Sequence, residues 1–232
     1  MKILALDSSA VVASVALCDG ETLLAEYTLN NGNTHSETLL PAIEHLLKTT
    51  GVTYDRVELF ACATGPGSFT GVRIGAATIK GLAFGRNLPC VGVSALEALA
   101  YNLIGFDGIL CPVMDARRSQ LYNALFRCQN GGIQRITPDR TIAAAELAEE
   151  LKAYDEAILV SGGGTHILCE AARDLANVRP APELLRYENA YSVALCALTA
   201  MESGLDLTDK TDLLLAPTYL RPSQAERARN GG

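Results

Sequence analysis

Two short turns in this sequence hold carboxylates and hydroxyls where an anion or a metal-bound water could sit. In "LDSSAVV", Asp7 is followed by Ser8 and Ser9 at the end of an apolar run. An aspartate there can orient a metal-bound water, and the two hydroxyls can donate to phosphate. In "MDARRSQLY", Asp115 is followed by Arg117 and Arg118. Neither turn contains glycine, so β-carbons would hold a phosphate away from the backbone N–H groups. A third stretch, "VSGGGTHI", has Gly162, Gly163 and Gly164 ahead of a helical pattern and could cradle a nucleotide. The alternative is plain: Asp7 and Asp115 as turn or cap residues, and the glycines as a strand-to-helix turn that needs positive φ.

The densest run of glycines is "ATGPGSFTGVRIGAATIKGLAFG", residues 63–85. It lacks the spacing and the lysine of a P-loop and also fails GxGxxG, so its phosphate signal is weak. Gly65-Pro66-Gly67 reads as a tight turn, and Ser68 or Thr70 as the cap of the helix that follows. Gly71, Gly75 and Thr78 line one narrow face of that helix. Gly71, Gly75 and Gly81 together give up about 2–3 kcal/mol of helix propensity against alanine. Close approach of another backbone would offset this. That backbone is either the protein's own sheet or a helix of a second chain.

Other chemistries find little support. The histidines are His35, His45 and His166. "HSETL" begins like a helical HxxxH metal pair, but Leu39 stands where the second imidazole belongs, so no metal is expected. No GxSxG elbow or cysteine-protease signature is present, and Ser68 looks more like a cap than a nucleophile. The seven cysteines include no CxxC and sit mostly in apolar runs, as reduced buried thiols would. The net charge of −7 argues against stand-alone nucleic-acid binding. Apolar residues make up 49% and charged residues 19%, enough for a packed core. No signal peptide and no apolar run of about 18 residues is evident, so a cytoplasmic protein with no membrane span is expected.

These turns are positioned by a recurring order of elements. Strands at 2–9, 12–18 and 22–29 form a meander, with Asp19-Gly20 as a hairpin turn. A helix over about 35–48 follows, with Thr34 and Glu37 as a capping box and Pro41 as an expected kink. Then come strand, helix, strand and helix up to about residue 104. After "GFDG" (105–108) the meander restarts with strands at 109–115, 119–128 and 132–137. Helix 143–154, strand 157–162, helix 165–176 and a last helix 189–204, closed by Gly204, complete the order. Two lobes of like topology are implied, residues 1–105 and 106–221, with 222–232 as a frayed tail. Each lobe is a mixed α/β sheet faced by helices, the plan of the actin-like (ASKHA) two-lobe fold.

Taken in order, "ILALDSSAVVASVAL", "HSETLLPAIEHLL", "TGPGSFTGVRIGAATIKGLA", "VSALEALA", "DARRSQLY" and "PTYLR" resemble the TsaB (YeaZ) family over residues 3–221. The "GPGSFTGVRIG" block is the most specific. Ser8 and Ser9 depart from the usual Thr-Ser but keep the hydroxyls. The resemblance implies an actin-like fold and a part in making threonylcarbamoyladenosine, the modified base beside the tRNA anticodon. It implies a non-catalytic subunit that supports TsaD, the related catalytic subunit whose metal sits on an HxxxH pair, together with a TsaE-like ATPase. A homodimer is implied when the chain is alone, contact with tRNA only through the complex, no intrinsic cofactor, and ATP or ADP only in the complex. The partner face implied lies on the two first-lobe helices: His35, Leu39, Ile43, Gly71, Ile74, Gly75, Thr78 and Leu82. Residual nucleotide binding would fall to Asp7, Ser8, Ser9, Asp115 and Gly162–Gly164. The alternatives are an ATP-dependent transferase or kinase acting alone, and a peptidase.

Overall fold

The computed structural model describes residues 1–32, 34–207 and 210–221. The first sheet begins with the expected meander: β1 (Lys2–Asp7), β2 (Ala13–Asp19) and β3 (Thr22–Leu29), paired antiparallel. β4 (Leu59–Gly65) and β5 (Cys90–Ser94) add in parallel, giving the order β3-β2-β1-β4-β5. Helices cover both faces. Leu4, Leu6, Phe60 and Cys62 point to α1 (His35–Thr50) and α2 (Phe69–Ala83). Ile3, Ala5, Leu59 and Ala61 point to α3 (Ala95–Tyr101) and α6 (Ala190–Glu202). Burial on both faces explains why these strands read as unbroken apolar runs rather than alternating ones.

The second sheet repeats the plan. β6 (Gly108–Asp115) lies at its centre, beside β7 (Gln120–Asn123), β8 (Phe126–Gln129) and β11 (Ile158–Ser161). β9 (Gly132–Arg135), β10 (Arg140–Ala143) and β12 (Val178–Pro180) form its edges, and α4 (Ala144–Leu151) and α5 (Thr165–Ala171) close its outer face. The expected single strand at 119–128 is two. Pro112 has no N–H to give, so β6 pairs β8 through 108–110 and β7 through 113–115. The partner bends between the two at Ala124-Leu125, and Asn123 Nδ2 bonds the Pro112 and Ala124 carbonyls at 3.1 Å each. The orders β3-β2-β1-β4-β5 and β10-β7-β6-β11-β12 match, the duplicated plan expected from the sequence.

Two local expectations change. Thr34 stands at the N-cap of α1, but its side chain makes no cap bond, so the Thr34–Glu37 capping box does not form. α1 itself spans His35–Thr50, with Pro41 inside it. The last helix, assigned by chain order to residues 106–221 and the second lobe, packs instead on the first sheet. It ends in a Schellman motif: Gly204 (φ 93°) donates to Met201 O and Leu205 to Ala200 O. The chain then stays on the first lobe, with Cys90 N donating to Lys210 O and Thr218 N to Thr64 O, both at 2.7 Å. The tail at 222–232 lies outside the described residues.

Glu26 fastens α6 in that place. Its carboxylate accepts from Asn189 Nδ2 and the Tyr191 N–H at 3.0 Å and from Ser14 Oγ at 3.1 Å. Glu26→Ala leaves three donors without their acceptor and is expected to cost about 2–4 kcal/mol, with Glu26→Gln recovering part of it. Urea unfolding of the two variants checks this.

The two lobes share one core. Leu110, Met114, Ala124, Phe126 and Cys128 of the second sheet join the cluster beneath α3 and α6. Arg135 on β9 reaches across to Glu97 on α3 at 2.7 Å and pairs with Asp139 at 2.6 Å, while Ser94 Oγ donates to Asp139.

Candidate functional site

A cavity of about 560 Å³ opens between the sheets. Its wall includes Ser9 after β1, the turn Gly67–Thr70, Asp115 and Arg117 after β6, Gly163 after β11, Glu188 ahead of α6, and Tyr219 and Arg221. Parts of all three sequence-predicted turns therefore meet here, because β1, β6 and β11 all end at the same cleft. Asp7, Ser8 and Ser9 are fully buried, and of the three only Ser9 is in the cavity wall. Asp115 is bonded by the Arg117 N–H at 2.7 Å and paired with the Arg117 guanidinium at 3.5 Å.

The glycines are taken up by the protein itself. A Cβ at Gly67 or Gly71 would overlap the carbonyl oxygens of Ser9 or Ser8, and one at Gly162 would overlap Val113 O. At Gly164 it would lie 2.7 Å from Leu121 Cδ2. Only Gly163 of the triplet has open space around it. At Gly67, Gly71, Gly162 and Gly164 a glycine is required because strand ends and turns cross within touching distance.

Glu188 is the site residue that the sequence does not announce. It sits in polar "RYENAY", yet is 2% exposed, because α6 draws it under the first lobe. Among the described residues, Glu188 Oε1, Asp7 Oδ2 and Ser9 Oγ are buried with no hydrogen-bond partner. Burial, and then the nearby Asp7 charge, push the Glu188 carboxyl up to about 8. Burial also raises Asp7, partly opposed by the Ser9 hydroxyl, by the Ser9 N–H bonded to its Oδ1 at 2.7 Å and by the nearby His35. The consequence for stability has a definite sign. From about 4.5 to about 8 the unfolded chain releases the Glu188 proton and the folded chain keeps it. Stability therefore falls as pH rises through that window, by up to about 1.4 kcal/mol per unit from this group, and levels off above it. Glu188→Gln removes this slope and is expected to be more stable than the parent at pH 8 but not at pH 4, as denaturant midpoints at both pH values would show.

Of the expected partner-face residues, Leu39 and Ile43 are each 2% exposed and belong to the core under α1. Gly71 and Gly75 face Ser8 and Leu6 of the same lobe. Close approach is real at this helix, but what approaches is the protein's own first strand and turn. His35 is half-buried with Nε2 2.7 Å from Ala10 O. Ile74, Thr78 and Leu82 remain partly exposed on the outer side. Ala77 and Gly81 of α2 are exposed, and so is Leu40 of α1, at 48%. A Cβ at Gly81 would meet nothing within 4 Å.

Three further chemistries can be placed. No group of three or more His, Cys, Asp or Glu that could hold a metal occurs among the described residues. Ser68 caps α2 by accepting from the Gly71 N–H at 3.2 Å, which answers what starts that helix. The cysteines are free, and all but Cys169 are buried. Burial pushes Cys18 and Cys111 up to about 12 and Cys90 up to about 11, so these thiols are poor nucleophiles.

Among the described residues no helix is long and apolar enough to cross a membrane. Residues 22–229 match the family model of TsaD, tRNA N6-adenosine threonylcarbamoyltransferase. The chain is 33% identical over 226 residues to the tRNA threonylcarbamoyladenosine biosynthesis protein TsaB of Bacillus subtilis (strain 168), covering 97% of this chain and 96% of that one. It is 34% identical over 152 residues to the TsaB of Escherichia coli (strain K12), covering 65% of each. YeaZ from Pseudomonas aeruginosa has a similar solved structure, with a TM-score of 0.80 and 27% identity over 94% of this chain and 99% of that one.

Proposed function

The chain belongs to the TsaB family of tRNA threonylcarbamoyladenosine biosynthesis proteins, and from that premise we propose that it is the non-catalytic partner of a TsaD-like transferase. Its task is to hold that subunit in an active form through the outer side of α1 and α2. A TsaE-like ATPase and tRNA join through the complex, any ATP or ADP is bound there, and the chain pairs with itself when alone.

The observation that carries this reading is Gly81. Two of the three glycines in α2 are required by the protein's own strand. Gly81 is exposed with open space around it, and a glycine inside a helix costs about 1 kcal/mol against alanine. Nothing among the described residues repays that, whereas a second backbone passing over Ala77 and Gly81 would. Leu40 of α1 is exposed as well, and Ile74 and Leu82 of α2 are partly exposed.

Leu39 in place of a second imidazole supports the absence of the transferase's metal chemistry. The cleft glycines closed off by packing speak against an ATP-using enzyme acting alone. Ser68, engaged as a helix cap and with no bond to an imidazole among the described residues, speaks against a peptidase. The test is reconstitution. The pure chain mixed with a TsaD-like subunit is expected to form a heterodimer at micromolar concentration and to raise tRNA modification above that of the transferase alone. No complex, or equal modification without this chain, would sink the reading.

A further inference from the structure

We propose that the turn between β6 and β7 is a contact surface for RNA phosphates, with Arg117, Arg118, Arg221 and Arg73 supplying the positive charge. This rests on the reading that the chain works in tRNA modification, and adds that it touches the RNA itself. The turn is closed by Ala116 N–H donating to Gln120 O and Gln120 N–H to Arg117 O. Between them Arg117, Arg118 and Ser119 all lie in the left-handed region, with φ of 68°, 56° and 55°. Each side chain there costs free energy that a glycine would not. Most left-handed positions among the described residues are indeed glycine. Burial does not repay the cost, because the Arg117 side chain is 85% exposed and Arg118 and Ser119 are exposed too. Strained backbone of this kind clusters where function uses it, and what this turn offers is two adjacent guanidiniums.

Further positive charge gathers at the same place. Arg221 Nη1 donates to Ala116 O at 2.8 Å, which sets that guanidinium beside the turn. Arg117 and Arg221 share the cavity wall with Phe69, and the exposed Arg73 holds its guanidinium 4.4 Å from the Phe69 centroid. Among the described residues Arg118 makes no hydrogen bond or ion pair, and Arg73 makes no contact of that kind beyond the ring. Other arginines are spent on carboxylates: Arg127 on Glu156, Arg135 on Glu97 and Arg140 on Glu150. The acids of this wall offset little. Asp115 lies 3.5 Å from the Arg117 guanidinium, and Glu188 is buried with its carboxyl pushed up to about 8. A local excess of arginine on a chain of net charge −7 therefore needs an anionic partner from outside. Guanidiniums match phosphate in charge and fork geometry, and a partner whose phosphates repeat along its length can engage several at once.

Anisotropy titrations of a labelled tRNA, from about 20 to about 200 mM salt, test this on the full chain and on its complex with the transferase. Both are expected to bind saturably and to weaken as salt rises, the net-negative chain alone more weakly than the complex. Arg117→Asn combined with Arg118→Asn is expected to lose at least about tenfold in affinity at low salt and to lower the salt slope by about 2. Asparagine accepts left-handed backbone, so this variant is expected to melt no lower than the parent. Arg117→Lys with Arg118→Lys keeps both charges and is expected to keep the slope. Should the asparagine variant fail to fold, Arg73→Gln decides, with an expected fall of about 1 in slope. A slope unchanged in the folded variant, no tRNA binding by either chain or complex, or magnesium ATP bound more tightly than tRNA would each overturn the proposal. So would loss of the complex rather than of tRNA, which would give the turn to an acidic face of the protein partner. Leu40→Glu alone is expected to bind tRNA as the parent chain does while losing the transferase, so docking and RNA contact are read separately.

Discussion

Gly71→Ala is expected to yield little folded protein, Gly75→Ala a weakened one, and Gly81→Ala a protein more stable than the parent. One added methyl group in one helix thus gives three different outcomes. At Gly71 the new carbon would overlap Ser8 O, a backbone atom that β1 and its turn hold in place. Neither the strand nor the helix can retreat without opening the core under both, so a loss of at least about 3 kcal/mol follows. At Gly75 the nearest atoms are Ser8 Oγ at 2.5 Å and Leu6 Cδ1 at 3.0 Å, both side-chain ends that can turn aside. A cost of about 1–2 kcal/mol is expected there. At Gly81 the methyl enters open space, and the better helix former gains about 0.5–1 kcal/mol. Urea unfolding of the three single variants reads all of this. A fully folded Gly71→Ala protein with an unchanged midpoint would show that α2 does not press on the first turn.

Those glycines also mark how far the sequence could be read. Their spacing and cost revealed a close approach, and local spacing cannot tell which backbone approaches, because the partner is a turn more than 60 residues earlier. The β-β-β-α-β-α-β-α order was legible for a related reason: strands covered on both faces become apolar runs, and the breaks between them hold turn residues. β10 (RTIA) and β12 (VRP) stayed hidden, since three or four residues at a sheet edge carry no measurable period. Asp7, Ser9, Asp115 and Gly163 were legible as strand-end residues in a repeated topology. Glu188 was not. Its burial comes from α6 crossing back to the first sheet, a long-range event that leaves no trace in the mostly polar stretch around it.

Leu40→Glu combined with Ala77→Glu is expected to abolish the heterodimer and leave the fold untouched. Both side chains are exposed in the isolated chain, so neither change removes a core contact, and stability should stay within about 0.5 kcal/mol of the parent. Across a docked interface the same changes bury two carboxylates against an apolar, small-residue surface. Unpaired charges in such a place cost about 3 kcal/mol or more, which corresponds to at least about a hundredfold in affinity. Complex formation by size measurement and tRNA modification with the transferase should then fall together, while urea unfolding of the variant alone stays as in the parent. Gly81→Ala adds the sharper comparison. It gains monomer stability, yet its methyl stands where the partner backbone is placed, so it is expected to weaken the complex. A variant that is better folded and worse at docking separates the two roles of α2: its inner glycines serve the sheet, and its outer one serves another chain. If Gly81→Ala strengthens or leaves unchanged both folding and docking, the outer face of α2 is not where the transferase binds.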